Sequence, residues 1–313
     1  MPARDAAKDQ VWTELFCSEL LCDHHDNFAR SFPYAWQDGY NGAILYNKIL
    51  NDSENPSGPP TVEPLADLKA QIVQWSEFEK RRVVPADIDM DAERNGTVFV
   101  IQFGLWDIWH YSEWRTKGAA SLAIRSSMDE FSRQLDVLAN LWPTHLKVII
   151  PNVIDPTFLP GWHGTRTTPR GTDLRADSQR LAVDLVVQWN NQLDTIAQEW
   201  ANGTIYIFDT QSWLIDQIRE HQMHSQHQHD INGWGTKKPM WDDVHVACIG
   251  GGDQEHHVEG ESRGGQIQCK RPDKYLFRDD MHLSAAANKL LAQQIVKGAS
   301  KLFDLHSDKK STR

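Results

Sequence analysis

Three short, unbroken apolar runs constrain what this chain can fold into more than any other feature. Val98, Phe99, Val100, Ile101 and Phe103 make the first, within residues 97–103 and bounded by Gly96 and Gly104. Leu146, Val148, Ile149 and Ile150 make the second, closed by Pro151, and Ile205, Tyr206, Ile207 and Phe208 make the third. Runs without polar alternation predict strands buried on both faces, the setting of a parallel sheet covered by helices. Helical periodicity fills the spaces around them. Trp12, Leu15, Phe16 and Leu20 mark one stripe, and Leu65, Leu68, Ile72, Trp75 and Phe78 a second. Ile124, Met128, Phe131, Leu135, Leu138 and Trp142 mark a third, with further helices over 174–200 and 284–303. Alternating strands and helices call for an α/β sandwich with right-handed crossovers. Residues 51–64 hold four Pro and a Gly and read as a surface loop. Residues 221–273 are rich in Gly, His and Gln without periodicity, which predicts a long insertion loop at about 220–275, for which a Cys248–Cys269 bond is one possible tie. No repeat or linker divides residues 1–313, so one domain is expected.

Composition narrows the function classes. The 313 residues carry a net charge of −11, which argues against a nucleic-acid backbone or an anionic membrane as partner. No apolar run approaches the roughly 20 residues that cross a bilayer. Gly250, Gly251 and Gly252 are not flanked by a strand and a helix, so no phosphate loop is present and no nucleotide cofactor is expected. His221, His224, His227 and His229, with His245, His256 and His257, do not follow a common zinc spacing, and a solvated loop without metal is the better reading. The four cysteines, at 17, 22, 248 and 269, are compatible with two disulfides. Sequons beginning at Asn51, Asn95 and Asn202 lean with them towards secretion, although the polar residues 1–10 cannot form a signal peptide.

In an open parallel sheet, ligands sit beyond the carboxyl ends of the strands. Gly104 to Asp107 follow the first run, and Asn152 to Asp155 follow the second. Asp279 and His282 lie just before the last helix, for which Ser284 is the predicted N-cap. A carboxylate three residues before an imidazole can fix the ring's tautomer and stabilise its cation, which is the general-base half of a hydrolase triad.

Around that pair, the segment from Cys269 through Tyr275, Leu276 and Phe277 to Asp279, His282 and Ser284 resembles the C-terminal block of fungal SGNH (GDSL-type) hydrolases. Phe103 to Asp107 looks like that family's Gly-x-Asn-Asp block, and Asn27 to Ser31 like its Asn-Phe-Ala block. The likeness spans about residues 11–303. It implies a three-layer α/β/α fold of the flavodoxin-like type, with sheet order 2-1-3-4-5. It also implies hydrolysis of small or carbohydrate-linked esters through an acyl-enzyme, without a cofactor, in an extracellular protein. His282 would be the base and Asp279 its orienter. Gly104, Trp106, Asp107, Asn27 and Ser31 would form the oxyanion and substrate-binding positions.

The departures from the family are specific. Its nucleophile lies in a Gly-Asp-Ser block ending the first, central strand, and only ten residues precede Val11, with no Ser and no strand among them. Gly260, Glu261 and Ser262 resemble that block but lie in the long loop, without the strand-to-helix turn a nucleophile needs. Trp106 replaces the family's Asn, and Ser31 or Phe32 stands where its Gly is expected. The expectation is therefore a chain lacking its first segment, impaired in catalysis, with an exposed edge on the 97–103 strand. The alternative is a non-catalytic relative that binds a glycan or protein through a cleft lined by Trp106, Trp109, Trp114 and Trp162.

Overall fold

The computed structural model describes residues 10–29, 42–51, 63–114, 116–165, 172–249 and 269–305. Ser31, Ser262, His256 and His257 lie outside these residues. The architecture is mixed α/β. Helix α1 (Trp12–Leu20) buries Trp12 and Phe16, and the Glu14 carboxylate accepts from the Val11 amide at 3.1 Å to close its first turn. α2 (Leu68–Arg81) is capped by Asp67, which accepts from the Ala70 amide. The short α3 (Met90–Gly96) leads into β1 (Phe99–Val100), and α4 (Leu105–Tyr111) starts directly beyond it. α5 (Lys117–Leu141), β2 (Leu146–Pro151), α6 (Pro160–Thr165), α7 (Thr172–Glu199) and β3 (Gly203–Phe208) follow. α8 (Thr210–Ser225), β4 (Asp243–Ala247), β5 (Tyr275–Phe277) and α9 (Ala285–Phe303) complete the order.

β1, β2 and β3 pair side by side, all parallel, in sequence order, with Phe99 opposite Val148 and Ile149 opposite Tyr206. β4 and β5 form a separate parallel pair. The expectation of strands buried on both faces holds for one of the three runs. β2, flanked on both sides, is buried except at Lys147, whereas β3 is half-buried along its length. Among the described residues β1 has two laddered positions and a neighbour on one side, and its Val100 is exposed.

The predicted helices appear with their apolar stripes inward, except that Phe78 at the end of the second stripe is exposed. Ser284 caps α9 as expected, its Oγ accepting from the Ala287 amide at 3.2 Å. The segment predicted as a long loop is more ordered than expected. α8 runs through His221 and His224 to Ser225, because Trp213, Leu214 and Ile218 give it a buried face. β4 forms within the same segment, burying Val244 and Ala247. Three histidines tie these pieces together while staying half-buried or exposed. The Asp242 carbonyl accepts from His221 Nε2 at 3.1 Å, the Gly235 carbonyl accepts from His224 Nδ1 at 3.3 Å, and Gln222 Nε2 lies 3.3 Å from His245 Nε2.

A disulfide joins Cys248 to Cys269. Cys17 and Cys22 form no second bridge and stand as thiols. The Cys248 amide donates to the Phe277 carbonyl and the Ile249 amide to the Arg278 carbonyl, so the disulfide braces the turn that follows β5. The sequence separation of 21 implies about 3 kcal/mol of loop-closure stabilisation. The double variant Cys248→Ser with Cys269→Ser is expected to unfold at a clearly lower temperature than the oxidised parent, and reductant should lower the parent's Tm by a similar amount. No helix among the described residues is long and apolar enough to cross a membrane.

Candidate functional site

The turn between β5 and α9 holds the acid–base pair. Phe277 bridges Leu283, the Arg278 amide donates to the His282 carbonyl at 2.8 Å, and the Ser284 amide donates to the Leu276 carbonyl at 3.0 Å. Within this clamp Asp279 Oδ1 accepts three bonds: from the Met281 amide at 3.0 Å, the His282 amide at 2.9 Å, and His282 Nδ1 at 2.7 Å. The amides fix the carboxylate, and the carboxylate fixes the ring. Nδ1 therefore carries a proton and Nε2 is left as the basic nitrogen.

Charge follows from this geometry. Burial alone would raise Asp279, but the hydrogen bond and charge of His282 and the two amides outweigh it and hold the carboxyl below its usual range. The hydrogen bond to Asp279 raises His282 above 6.5, with burial opposing and the Asp279 charge adding. The imidazole is 69% exposed, so the pair is a partly screened couple and its value lies in orientation more than in stability.

His282 lines a groove of about 1650 Å³ together with Gly104, Trp106 and Asn27. His282 and the tip of the 97–103 run thus line one cleft, which also reaches the ends of β1 and β2. That volume exceeds the roughly 300–1,000 Å³ of a small-molecule pocket. Among the described lining residues there is no serine.

The other expected positions behave differently from one another. The Gly104 amide is spent internally, donating to Asp107 Oδ2 at 3.1 Å, so it does not point at an oxyanion. Gly104 is needed for shape instead. Its φ of 114° and the 2.3 Å approach of a would-be Cβ to Val153 Cγ2 leave no room for a side chain. Asp107 does not face a substrate either. It is fully buried and accepts from the Leu45 amide at 2.9 Å and Tyr111 Oη at 3.4 Å as well as from Gly104. Asn27 Oδ1 accepts from the Ala29 amide in a local turn. Trp106 is half-buried, and a Cβ on Gly42 would fall 2.0 Å from its Nε1, so Gly42 lets the indole lie against the backbone. Trp109, Trp114 and Trp162 are core residues, which removes them from the proposed Trp-lined cleft.

Two contacts were not foreseen, although the sequence places Asn152 among the residues that follow the second run. Asn152, at the end of β2, donates to Asp209 Oδ1 at 2.9 Å and accepts from the Gln211 amide, joining the ends of β2 and β3 at the groove. Trp12 Nε1 donates to Gln102 Oε1 at 3.1 Å, linking α1 to the end of β1. Neither contact has a local sequence signal, because the partners are 57 and 90 positions apart. No protein-family model matches the chain, and no curated protein matches it.

Proposed function

We propose that this chain carries the general-base half of an SGNH-type ester hydrolase and acts on small carboxylic or carbohydrate-linked esters. One observation carries the reading: His282 Nδ1 sits 2.7 Å from a triply bonded Asp279 oxygen, at the rim of a groove shared with Gly104 and Trp106. The packing of α5 against α2, α4 and α7, and of α1 against α9, supports a three-layer arrangement around the sheet. The Cys248–Cys269 bond supports an oxidising, extracellular setting.

In this reading His282 Nε2 takes the proton from the attacking hydroxyl as its oxygen bonds to the acyl carbon. The carbonyl oxygen becomes an oxyanion, for which the Trp106 indole N–H would stand in for the family's Asn as a donor. When the tetrahedral species collapses, the ester C–O bond breaks and the imidazolium returns its proton to the departing alkoxide. Asp279 holds the ring in place and stabilises its cation throughout. The described residues bring no serine to the groove, and we take water as the nucleophile, so turnover should be slow. General-base assistance is worth about 10²–10⁴-fold. Hydrolysis of p-nitrophenyl acetate should therefore be weak but measurable, and His282→Ala should reduce it by about 10²-fold with Tm unchanged. A well-folded parent indistinguishable from His282→Ala would remove the hydrolase reading and favour a binding protein.

A further inference from the structure

The turn that carries Asp279 and His282 is closed upon itself by the Arg278 and Ser284 amides. A further bond reaches it from another element. The Gly161 amide, in the first turn of α6, donates to the Asp280 carbonyl at 2.9 Å. Glycine is required there by proximity, not by conformation. Its φ is not positive, so the backbone would accept alanine, which also suits a helix better. A Cβ on Gly161 would lie 2.9 Å from the Asp280 carbonyl oxygen, 3.0 Å from Asp280 Cβ and 3.0 Å from Met281 Sδ. The nearest of these atoms is backbone, so relief requires α6 or the turn to move.

The next residue of α6 makes a second connection. Trp162 is buried and meets Trp109 edge to face, with ring centroids 5.1 Å apart at 80°. Trp109 in turn stands 5.8 Å from the half-buried ring of Trp106. Two consecutive residues therefore touch the turn that carries the base and, through one intervening ring, the indole that lines the same groove. The helix has a firm footing at the end of the central strand. Val153, just beyond β2, donates its amide to Asn190 Oδ1 and accepts from Asn190 Nδ2, both at 2.9 Å. Asp155 then accepts from the Thr157 amide at 2.8 Å, and the Trp162 amide donates to the Leu159 carbonyl at 3.0 Å.

We propose that Gly161 and Trp162 are positioning residues for this site, with α6 the spacer that sets where His282 stands relative to Trp106. Gly161 seats the turn of the base, and Trp162 wedges Trp109 against Trp106. What the spacing serves rests on the hydrolase reading, in which base and oxyanion donor act on one tetrahedral centre. An error of about 1 Å between two such groups costs up to about 10²-fold in rate.

NMR of the 15N-labelled whole chain tests the seat without an ester. His282 is assigned by its absence from the spectrum of His282→Ala. In the parent, the ring nitrogens should show the Nδ1–H tautomer that Asp279 imposes. Gly161→Ala displaces the turn and weakens that bond, so the Nε2–H form should gain population and the titration midpoint should fall towards 6.5. Gly118→Ala, which adds the same methyl with nothing within 4 Å, should match the parent. Lower global stability alone moves neither quantity in the folded protein. Trp162→Phe keeps a ring in the core and tests the wedge, even if Gly161→Ala fails to fold. Exchange of the Trp106 indole N–H with solvent, assigned with Trp106→Phe, should speed about tenfold as the ring loosens. In p-nitrophenyl acetate hydrolysis both variants should lose about tenfold in kcat with KM little changed. A Gly161→Ala ring with the parent's tautomer and midpoint overturns the seat, and unchanged Trp106 exchange in Trp162→Phe overturns the wedge. A parent without esterase activity would remove the hydrolase reading alone, because the spectra contain no ester.

Discussion

Replacing Asp107 by Ala is expected to destabilise the protein by about 3 kcal/mol at pH 5 and by clearly less at pH 8. The carboxyl is fully buried between the 42–51 segment, the Gly104 turn and Tyr111, and it satisfies the amides of Leu45 and Gly104. Losing it orphans two buried donors at about 1–3 kcal/mol each. The pH dependence follows from burial, which pushes Asp107 up to about 7 against the lowering effect of its hydrogen bonds with Leu45, Gly104 and Tyr111. The unfolded carboxyl ionises near 3.8, so from about pH 4 to pH 7 the native state binds the proton more tightly than the unfolded one. Stability of the parent therefore falls as pH rises through that window, by at most about 4 kcal/mol, and levels off above it. The Ala variant lacks this titration, which narrows its deficit at high pH. Urea unfolding of both proteins at the two pH values measures the difference directly. An equal deficit at both would show that Asp107 is not held neutral by burial.

Gly104→Ala should cost about 2–5 kcal/mol and lower the site's activity with it. A residue with a side chain is strained at φ 114°, by roughly 1–2 kcal/mol. The new methyl would also lie 2.3 Å from Val153 and 2.7 Å from Trp189, both buried, adding about 1–3 kcal/mol of overpacking. Relief requires the turn to move, and the turn carries Trp106 and the amide that Asp107 holds. Gly118→Ala is the control. It lies in the first turn of α5 with nothing within 4 Å of an added Cβ, so it should be neutral or slightly stabilising. Thermal denaturation of the two variants separates a shape requirement at Gly104 from a general effect of removing glycine.

What was legible in the sequence divides along contact range. Helices α1, α2, α5, α7 and α9 show in the spacing of Trp12 and Phe16, Leu68 and Ile72, and Leu291 and Ile295, because one buried face imposes a 3.6-residue period. Asp279 and His282 were readable as a pair because their contact is three residues long. The roles of Gly104 and Asp107 were not, since they depend on Leu45, Val153 and Trp189, distant in sequence. Sequence likeness to an oxyanion block suggested that both faced substrate, whereas burial turns Asp107 into an internal anchor. α4 escaped notice because Asp107, Ile108, Trp109, His110 and Tyr111 are all buried, which erases the amphipathic period. The strand at β4 did leave a signal, the alternation of Val244 and Val246 with His245, masked by the His- and Gly-rich composition around it. The weak β1 reflects its place at the edge, which its apolar residues do not report but the resemblance did, through the expected exposed edge on the 97–103 strand.

The pH profile of p-nitrophenyl acetate hydrolysis, compared between the parent and Asp279→Asn, bears on the acid–base couple itself. A general base works when neutral, so the parent's rate should rise with pH through an apparent pKa above 6.5 and then level off, the direction in which Asp279 moves His282. Asp279→Asn removes the charge that favours the imidazolium, and should shift that limb to lower pH and lower the plateau. A limb that stays in place in Asp279→Asn, or a profile no different from His282→Ala, would contradict a working imidazole–carboxylate base in this groove.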